Sequence, residues 1–140
     1  VRKPEELPAG DIRGMRVLVV EDNALNLEIM QCLLEDAGAI VTVARDGAAA
    51  VEAVRSSPEG GFDAILMDIM MPVMDGLEAS RQIRALSRPD VANVPIIAMT
   101  ANAFEEDRKR SAEAGMNDHL TKPLQPRLLM DTLAKYRKRP

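Results

Sequence analysis

The sequence predicts an α/β fold built on one doubly wound parallel sheet. Three observations carry that prediction. Short apolar, β-branched stretches recur along the chain, and each is followed by a stretch of helical period. The first of them, Arg16-Val17-Leu18-Val19-Val20, is apolar at consecutive rather than alternate positions, as a strand covered on both faces requires. The length, 140 residues, suits one domain with a single hydrophobic core.

Residues Val1 to Gly14 carry Pro4, Pro8, Gly10 and Gly14, mixed charge and no hydrophobic period, so they read as a linker, with the folded domain over 15–138. The first strand is Arg16 to Val20. Asn23 can cap the helix that follows, where Leu27, Met30, Leu33, Leu34 and Ala37 recur at helical spacing and Gly38 stops the run. Ile40 to Ala44 is a second strand. Asp46-Gly47 turns the chain into an Ala-rich helix that fades by Ser56-Ser57-Pro58, and Gly60-Gly61 is a loop. Ala64 to Met67 is a third strand, ending on Asp68. After a loop with Pro72, Asp75 can cap a helix from about Gly76 to Leu86. Pro95 to Met99 is a fourth strand, and Phe104 to Ala114 a charged helix ended by Gly115. His119 to Thr121 is a short fifth strand, and Leu128, Leu129, Leu133 and Tyr136 mark the last helix.

Such alternation implies parallel strands with helices on both faces. A sheet of this size takes the flavodoxin-like strand order 2-1-3-4-5, and function then belongs in the crevice at the carboxyl ends of the strands.

Composition narrows the classes of function. The net charge of −4 gives no reason to expect a nucleic-acid partner. The basic run Lys135, Arg137, Lys138 and Arg139 reads as a solvated helix end with favourable charge. Cys32 lies in an apolar helical pattern without a basic neighbour, so it reads as core packing and not as a nucleophile. A lone cysteine agrees with a reducing compartment. No apolar run approaches a membrane span, and no signal-peptide pattern opens the chain. Because the first residue is Val1, the chain is expected to be processed or cut from something longer.

The predicted strand ends hold a particular set of side chains. Strand one runs into Glu21-Asp22, strand three ends on Asp68, strand four reaches Thr100, and strand five runs into Lys122-Pro123. Taken singly, each could be a turn, cap or surface residue. Taken together, they place three carboxylates, a hydroxyl and an ammonium in one cleft. Clustered carboxylates repel unless a cation joins them, and hard oxygen ligands favour magnesium or a similar ion. A carboxylate can itself act as nucleophile and form an aspartyl phosphate. Phosphoryl transfer needs positioning and charge neutralisation more than covalent chemistry. Glu21 and Asp22 can hold the metal, Asp68 can attack, and Thr100 and Lys122 can contact the phosphoryl oxygens.

At this point the sequence closely resembles the receiver domains of response regulators. The resemblance lies in Val17 to Asn23, in Ile65 to Gly76 with its Met71-Pro72 and Asp75-Gly76 pairs, in Pro95 to Ala101, and in Thr121-Lys122-Pro123. It covers about Met15 to Tyr136. It implies that Asp68 is the phosphoacceptor, and that Asp22 and Asp68 bind Mg²⁺ (or Mn²⁺) with Glu21 acting largely through water and the Met70 backbone carbonyl completing the set. It implies that Thr100 is the switch hydroxyl, that Lys122 pairs with the phosphoryl group, and that the Lys122-Pro123 bond is cis. The output surface would be the helix after strand four, strand five and the helix after it. Implied partners are a histidine kinase or a histidine phosphotransfer domain, with no nucleic acid, no direct membrane contact, and phosphorylation-dependent dimerisation left open. The setting implied is cytoplasmic, free or tethered to a membrane-bound sensor kinase.

The sequence departs from the commonest family pattern at the aromatic switch position. His119 stands where Tyr or Phe is usual, and is either a rotating switch or a half-exposed strand histidine. Met70 and Asn102 occupy the positions that tune water access and hence phosphoryl lifetime. Met70 is apolar and cannot orient water, which predicts a long-lived phosphate.

Asn23-Ala24-Leu25-Asn26, Thr100-Ala101-Asn102-Ala103 and Gly115-Met116-Asn117-Asp118 look like receivers of hybrid sensor histidine kinases; the alternative is a stand-alone single-domain regulator. The chain stops soon after its last helix, so no DNA-binding output domain is expected within it. As an isolated domain it is expected to be no enzyme, but an acceptor that promotes its own phosphorylation and dephosphorylation. A flavin-binding protein of the same fold would need a Ser-, Thr- or Gly-rich phosphate loop where Glu21-Asp22-Asn23 stands. A phosphatase with an aspartyl nucleophile would place a second acid at Met70. A binding module with a dead site is disfavoured by the intact residue set.

Overall fold

The computed structural model describes residues 11–69, 71, 74–101 and 105–137, with residues 105–108 described by backbone alone. The strands are β1 (Arg16–Val20), β2 (Ile40–Ala44), β3 (Ala64–Asp68), β4 (Ile96–Thr100) and β5 (Asp118–Thr121). The helices are α1 (Ala24–Asp36), α2 (Gly47–Ser56), α3 (Gly76–Arg84), α4 (Pro89–Ala92), α5 (Glu105–Glu113) and α6 (Pro126–Lys135). All strand pairs are parallel, and the sheet order is β2-β1-β3-β4-β5.

Strand composition explains the order. β3 is buried along its whole length, and β1 and β4 are buried except at one end. The edge strand β2 leaves Ile40 and Val43 exposed. The pleat divides the core in two. Val17, Val19, Leu66, Ile97 and Met99 pack on one face with α1 and α6 through Leu34, Leu129 and Leu133. Leu18, Val20, Ile65, Met67 and Ile96 pack on the other with α2 and α3 through Val51, Val54 and Ile83. Each such buried aliphatic side chain contributes about 1.5–3 kcal/mol.

Three helices start where their capping residues direct. Asn23, Asp46 and Asp75 accept hydrogen bonds from the backbone N–H groups of Asn26, Ala49 and Glu78 at 3.0, 2.7 and 2.8 Å. Gly38, at φ +93°, supplies the left-handed residue after α1. These caps fix the helices just beyond the carboxyl edge of the sheet, which is where the strand-end side chains emerge.

Three details depart from the sequence-based expectations. A short helix, α4, lies between α3 and β4, where none was expected. Tertiary contacts hold it: the Arg88 guanidinium donates to the Val54 and Ser57 carbonyls at 2.9 and 3.0 Å and pairs with Asp90 at 2.7 Å, while Val91 is buried. Ile12, inside the expected linker, is fully buried in the α1–α6 core, and the Met15 N–H donates to its carbonyl at 3.0 Å. That stretch of the linker is therefore part of the packed body. Cys32 is exposed, which corrects its reading as core: it faces away from the stripe that Leu27, Met30 and Leu34 bury.

Candidate functional site

The loop after β1 is tied down at both ends. The Glu21 N–H donates to the Ala44 carbonyl at 3.1 Å, and the Asn23 N–H donates to Glu21 Oε2 at 3.2 Å. Glu21 is thereby held at 1% exposure although it is a carboxylate. Asp68, the last residue of β3, is 3% exposed, while Asp22 is half-buried. Ligand oxygens from Glu21, Asp22 and Asp68 all lie within 4.8 Å of one another.

Lys122 enters from the far side of the cleft. Its backbone N–H donates to the Thr100 carbonyl at 2.7 Å, which fixes the turn after β5 against the end of β4. The Lys122–Pro123 peptide is cis. The Lys122 Nζ donates to Asp68 Oδ2 at 3.0 Å and to Glu21 Oε1 at 3.1 Å. Burial alone would pull the ammonium's pKa down, but the hydrogen bonds and charges of Asp68 and Glu21 outweigh it and hold the pKa above the ordinary lysine value. Among the described residues, three closely spaced carboxylates gather here, and the Lys122 ammonium pairs with two of them. Closely spaced hard oxygen donors of this kind fit a small divalent cation.

Thr100 ends β4 half-buried and is paired in register with Thr121. His119 sits within β5, half-buried and in register with Ala98, and its N–H donates to Asp118 Oδ1 at 2.8 Å. The structure therefore gathers Glu21, Asp22, Asp68 and Lys122 around one point, with Thr100 on the adjoining strand end. His119 lies three residues before Lys122, inside the strand. Met70 and Asn102 lie outside the described residues.

Sequence reasoning missed two features. One is that Lys122 pairs with Glu21 as well as with Asp68, a contact that only the closing of the sheet reveals. The other is a cleft of about 470 Å³ that begins at Glu21 and Lys122 and runs between α1 and the β5–α6 loop, lined by Ile29, Met30, Leu33 and Leu124.

This fold and cleft agree with a family comparison. Residues 17–134 match the family of the response regulator receiver domain. The chain belongs to that family. It is 42% identical over 125 residues to the sensor protein GacS of Pseudomonas syringae pv. syringae, a match covering 89% of this chain and 14% of that protein. It is 37% identical over 130 residues to hybrid signal transduction histidine kinase I of Dictyostelium discoideum, covering 91% of this chain and 8% of that one. The receiver thus spans only a small part of the curated relatives it matches. Among solved structures it resembles the receiver domain of sensor histidine kinase PA1611 from Pseudomonas aeruginosa PAO1, which has a magnesium ion coordinated in its active-site cleft. That match has 41% identity and a TM-score of 0.78, and covers 88% of this chain and 97% of the other. It also resembles the Saccharomyces cerevisiae response regulator Ssk1, whose receiver domain was crystallised with the histidine phosphotransfer protein Ypd1 (32% identity, TM-score 0.80, 89% of each chain covered). The receiver is a phosphorelay module, and no described helix is long and apolar enough to cross a membrane.

Proposed function

We propose that Asp68 of this receiver accepts a phosphoryl group from a phosphohistidine on a histidine kinase or a histidine phosphotransfer domain. The observation that carries this reading is Lys122, whose ammonium touches the Asp68 carboxylate inside a cleft of three acids. In the transfer, an Asp68 carboxylate oxygen attacks phosphorus. A P–O bond forms as the donor's P–N bond breaks, and the electron pair leaves with the imidazole nitrogen, which takes up a proton. Lys122, hydrogen-bonded to Asp68, would pair with oxygens of the incoming group.

Glu21, Asp22 and Asp68 would hold Mg²⁺ (or Mn²⁺), with the Met70 backbone carbonyl as a further ligand. When bound, the ion neutralises phosphoryl charge. The burial of Asp68 restricts water at the acceptor. The isolated domain is then an acceptor that promotes its own phosphorylation and dephosphorylation rather than an enzyme acting on a separate substrate. Thr100 and His119 would relay the event through β5, and Met70 and Asn102 would set its lifetime. A slow dephosphorylation that Met70→Asn accelerates fits this role; an unchanged half-life counts against it.

Likeness to sensor kinases supports a receiver within a hybrid sensor histidine kinase over a stand-alone regulator. Its setting would be cytoplasmic, its domain of 15–138 extended to take in Ile12 and joined to an upstream linker, and its dimerisation a matter for the phosphorylated form. The deciding experiment is incubation with a small phosphodonor and Mg²⁺, read by intact mass. A gain of one phosphoryl group that vanishes in Asp68→Asn supports the reading; labelling that survives the substitution overturns it.

A further inference from the structure

Two glycines at helix starts press bare backbone against the segment that carries the acceptor. Gly76, the first residue of α3, donates its N–H to the Ile69 carbonyl at 3.0 Å. A Cβ placed there would strike the Asp68 carbonyl oxygen, and would lie 3.0 Å from the Asp68 carbonyl carbon and 2.9 Å from Met67 Cγ. Gly47, the first residue of α2, donates to the Met74 carbonyl at 3.2 Å. A Cβ there would strike that same oxygen and lie 2.9 Å from Met74 Cβ. Neither glycine has a positive φ, so the need is for space and not for conformation.

The nearest obstructing atoms are backbone carbonyl oxygens and have little room to yield. Asp68 is held in register with Met99 of β4, and the Ile69 N–H donates to the Met99 carbonyl at 3.1 Å. An added methyl group must therefore displace either α3 or the end of β3, and the Asp68 side chain with it. The Asp68 carboxylate has to stay within reach of Lys122 and of the other two acids.

We propose that Gly76 is a positioning residue for Asp68, and that Gly47 supports it by seating the Met74 end of the same segment. Their missing side chains let two helix N-termini close on the β3–α3 segment and hold the acceptor carboxylate at its place in the acidic cleft. This rests on the phosphoacceptor reading above. A misplacement of about 1 Å at a reacting group costs on the order of 10²-fold in rate.

The test compares Gly76→Ala, Gly47→Ala and Gly61→Ala with the unaltered chain. Gly61 is the control, because its Cβ would also meet backbone, less closely, 2.9 Å from the Pro58 carbonyl oxygen, but in the loop that enters β3 from the end opposite the cleft. Mg²⁺ affinity is measured by titration calorimetry and phosphodonor labelling by intact mass, well below each variant's thermal midpoint. Expected are weaker Mg²⁺ binding by about fivefold or more and labelling slowed by about ten- to a hundredfold in Gly76→Ala, with a smaller effect of the same sign in Gly47→Ala and none in Gly61→Ala. Unchanged Mg²⁺ affinity in both site variants overturns the proposal, as does an equal loss in Gly61→Ala. If Gly76→Ala does not fold, Gly47→Ala decides; if neither folds, the glycines are scaffold and the proposal falls. An unaltered chain that neither binds Mg²⁺ nor accepts phosphoryl overturns the phosphoacceptor reading itself, which separates the two failures.

Discussion

The ammonium of Lys122 lies 3.0 Å from the Asp68 carboxylate, and the two residues are 54 positions apart in the chain. The same ammonium reaches Glu21, so one cation holds two buried acids together. Removing it leaves Glu21 and Asp68 facing each other with little solvent. Lys122→Met should destabilise the metal-free protein by about 1–3 kcal/mol, below the range for a fully buried pair because Lys122 is partly exposed. Added Mg²⁺ should recover about 2.7 kcal/mol at a hundredfold excess over its dissociation constant. Urea unfolding followed by circular dichroism, with chelator and with Mg²⁺, measures both. A variant as stable as the parent in chelator would contradict the pairing.

Cys32 on α1 should react with an aromatic disulfide reagent in the native protein at a rate near that of the denatured chain, because the residue is exposed. Protection by tens of fold, released only by denaturant, would show that it packs inside after all.

Ile12 should behave as a core residue. Ile12→Ala removes buried methyl groups from the α1–α6 side of the core and should cost about 2–5 kcal/mol. The midpoint of denaturant unfolding reports it directly. A cost within a few tenths of a kcal/mol would return Ile12 to the linker.

Acid should loosen the β5–α6 anchor. Burial raises the Asp118 pKa, but hydrogen bonds from Lys135, from the His119 N–H and from Tyr136 outweigh it, so the folded value lies below the ordinary 3.8. A depressed carboxyl contributes stability above its unfolded pKa and loses it as pH falls through the folded value. Between about pH 5 and about pH 2 the parent should therefore lose more stability than Lys135→Met, by roughly 0.5 kcal/mol because Lys135 is largely exposed. Parallel acid profiles for the two proteins would remove Lys135 from this account.

Much of this architecture was legible because buried parallel strands leave an unmistakable trace. β1, β3 and β4 are short runs of consecutive apolar residues, and Asn23, Asp46 and Asp75 announce helix starts by their chemistry. The acids and the lysine were legible for a related reason, since polar residues that end buried strands must emerge at one edge of the sheet. What escaped depends on contacts distant in sequence. α4 is too short for a period and is held by Arg88. Ile12 is one apolar residue between Asp11 and Arg13, so nothing local sets it apart from a solvated stretch. α1 carries apolar residues around more than its buried stripe, with Leu25 and Ile29 exposed, so its pattern could not say which way Cys32 faces. The second partner of Lys122 was hidden because a strand-end list names neighbours without saying which atoms meet.

The Arg137 guanidinium just past α6 donates to the Asp11 carbonyl at 3.1 Å, a few residues ahead of β1. The stretch that leads into β1 and the stretch that follows α6 therefore share one corner. A body closed on itself in this way can be spliced between flanking segments, or moved from one architecture to another, without stretching either side. Its relay chemistry stays at the opposite end of the sheet, so such transplantation leaves the acceptor cleft untouched.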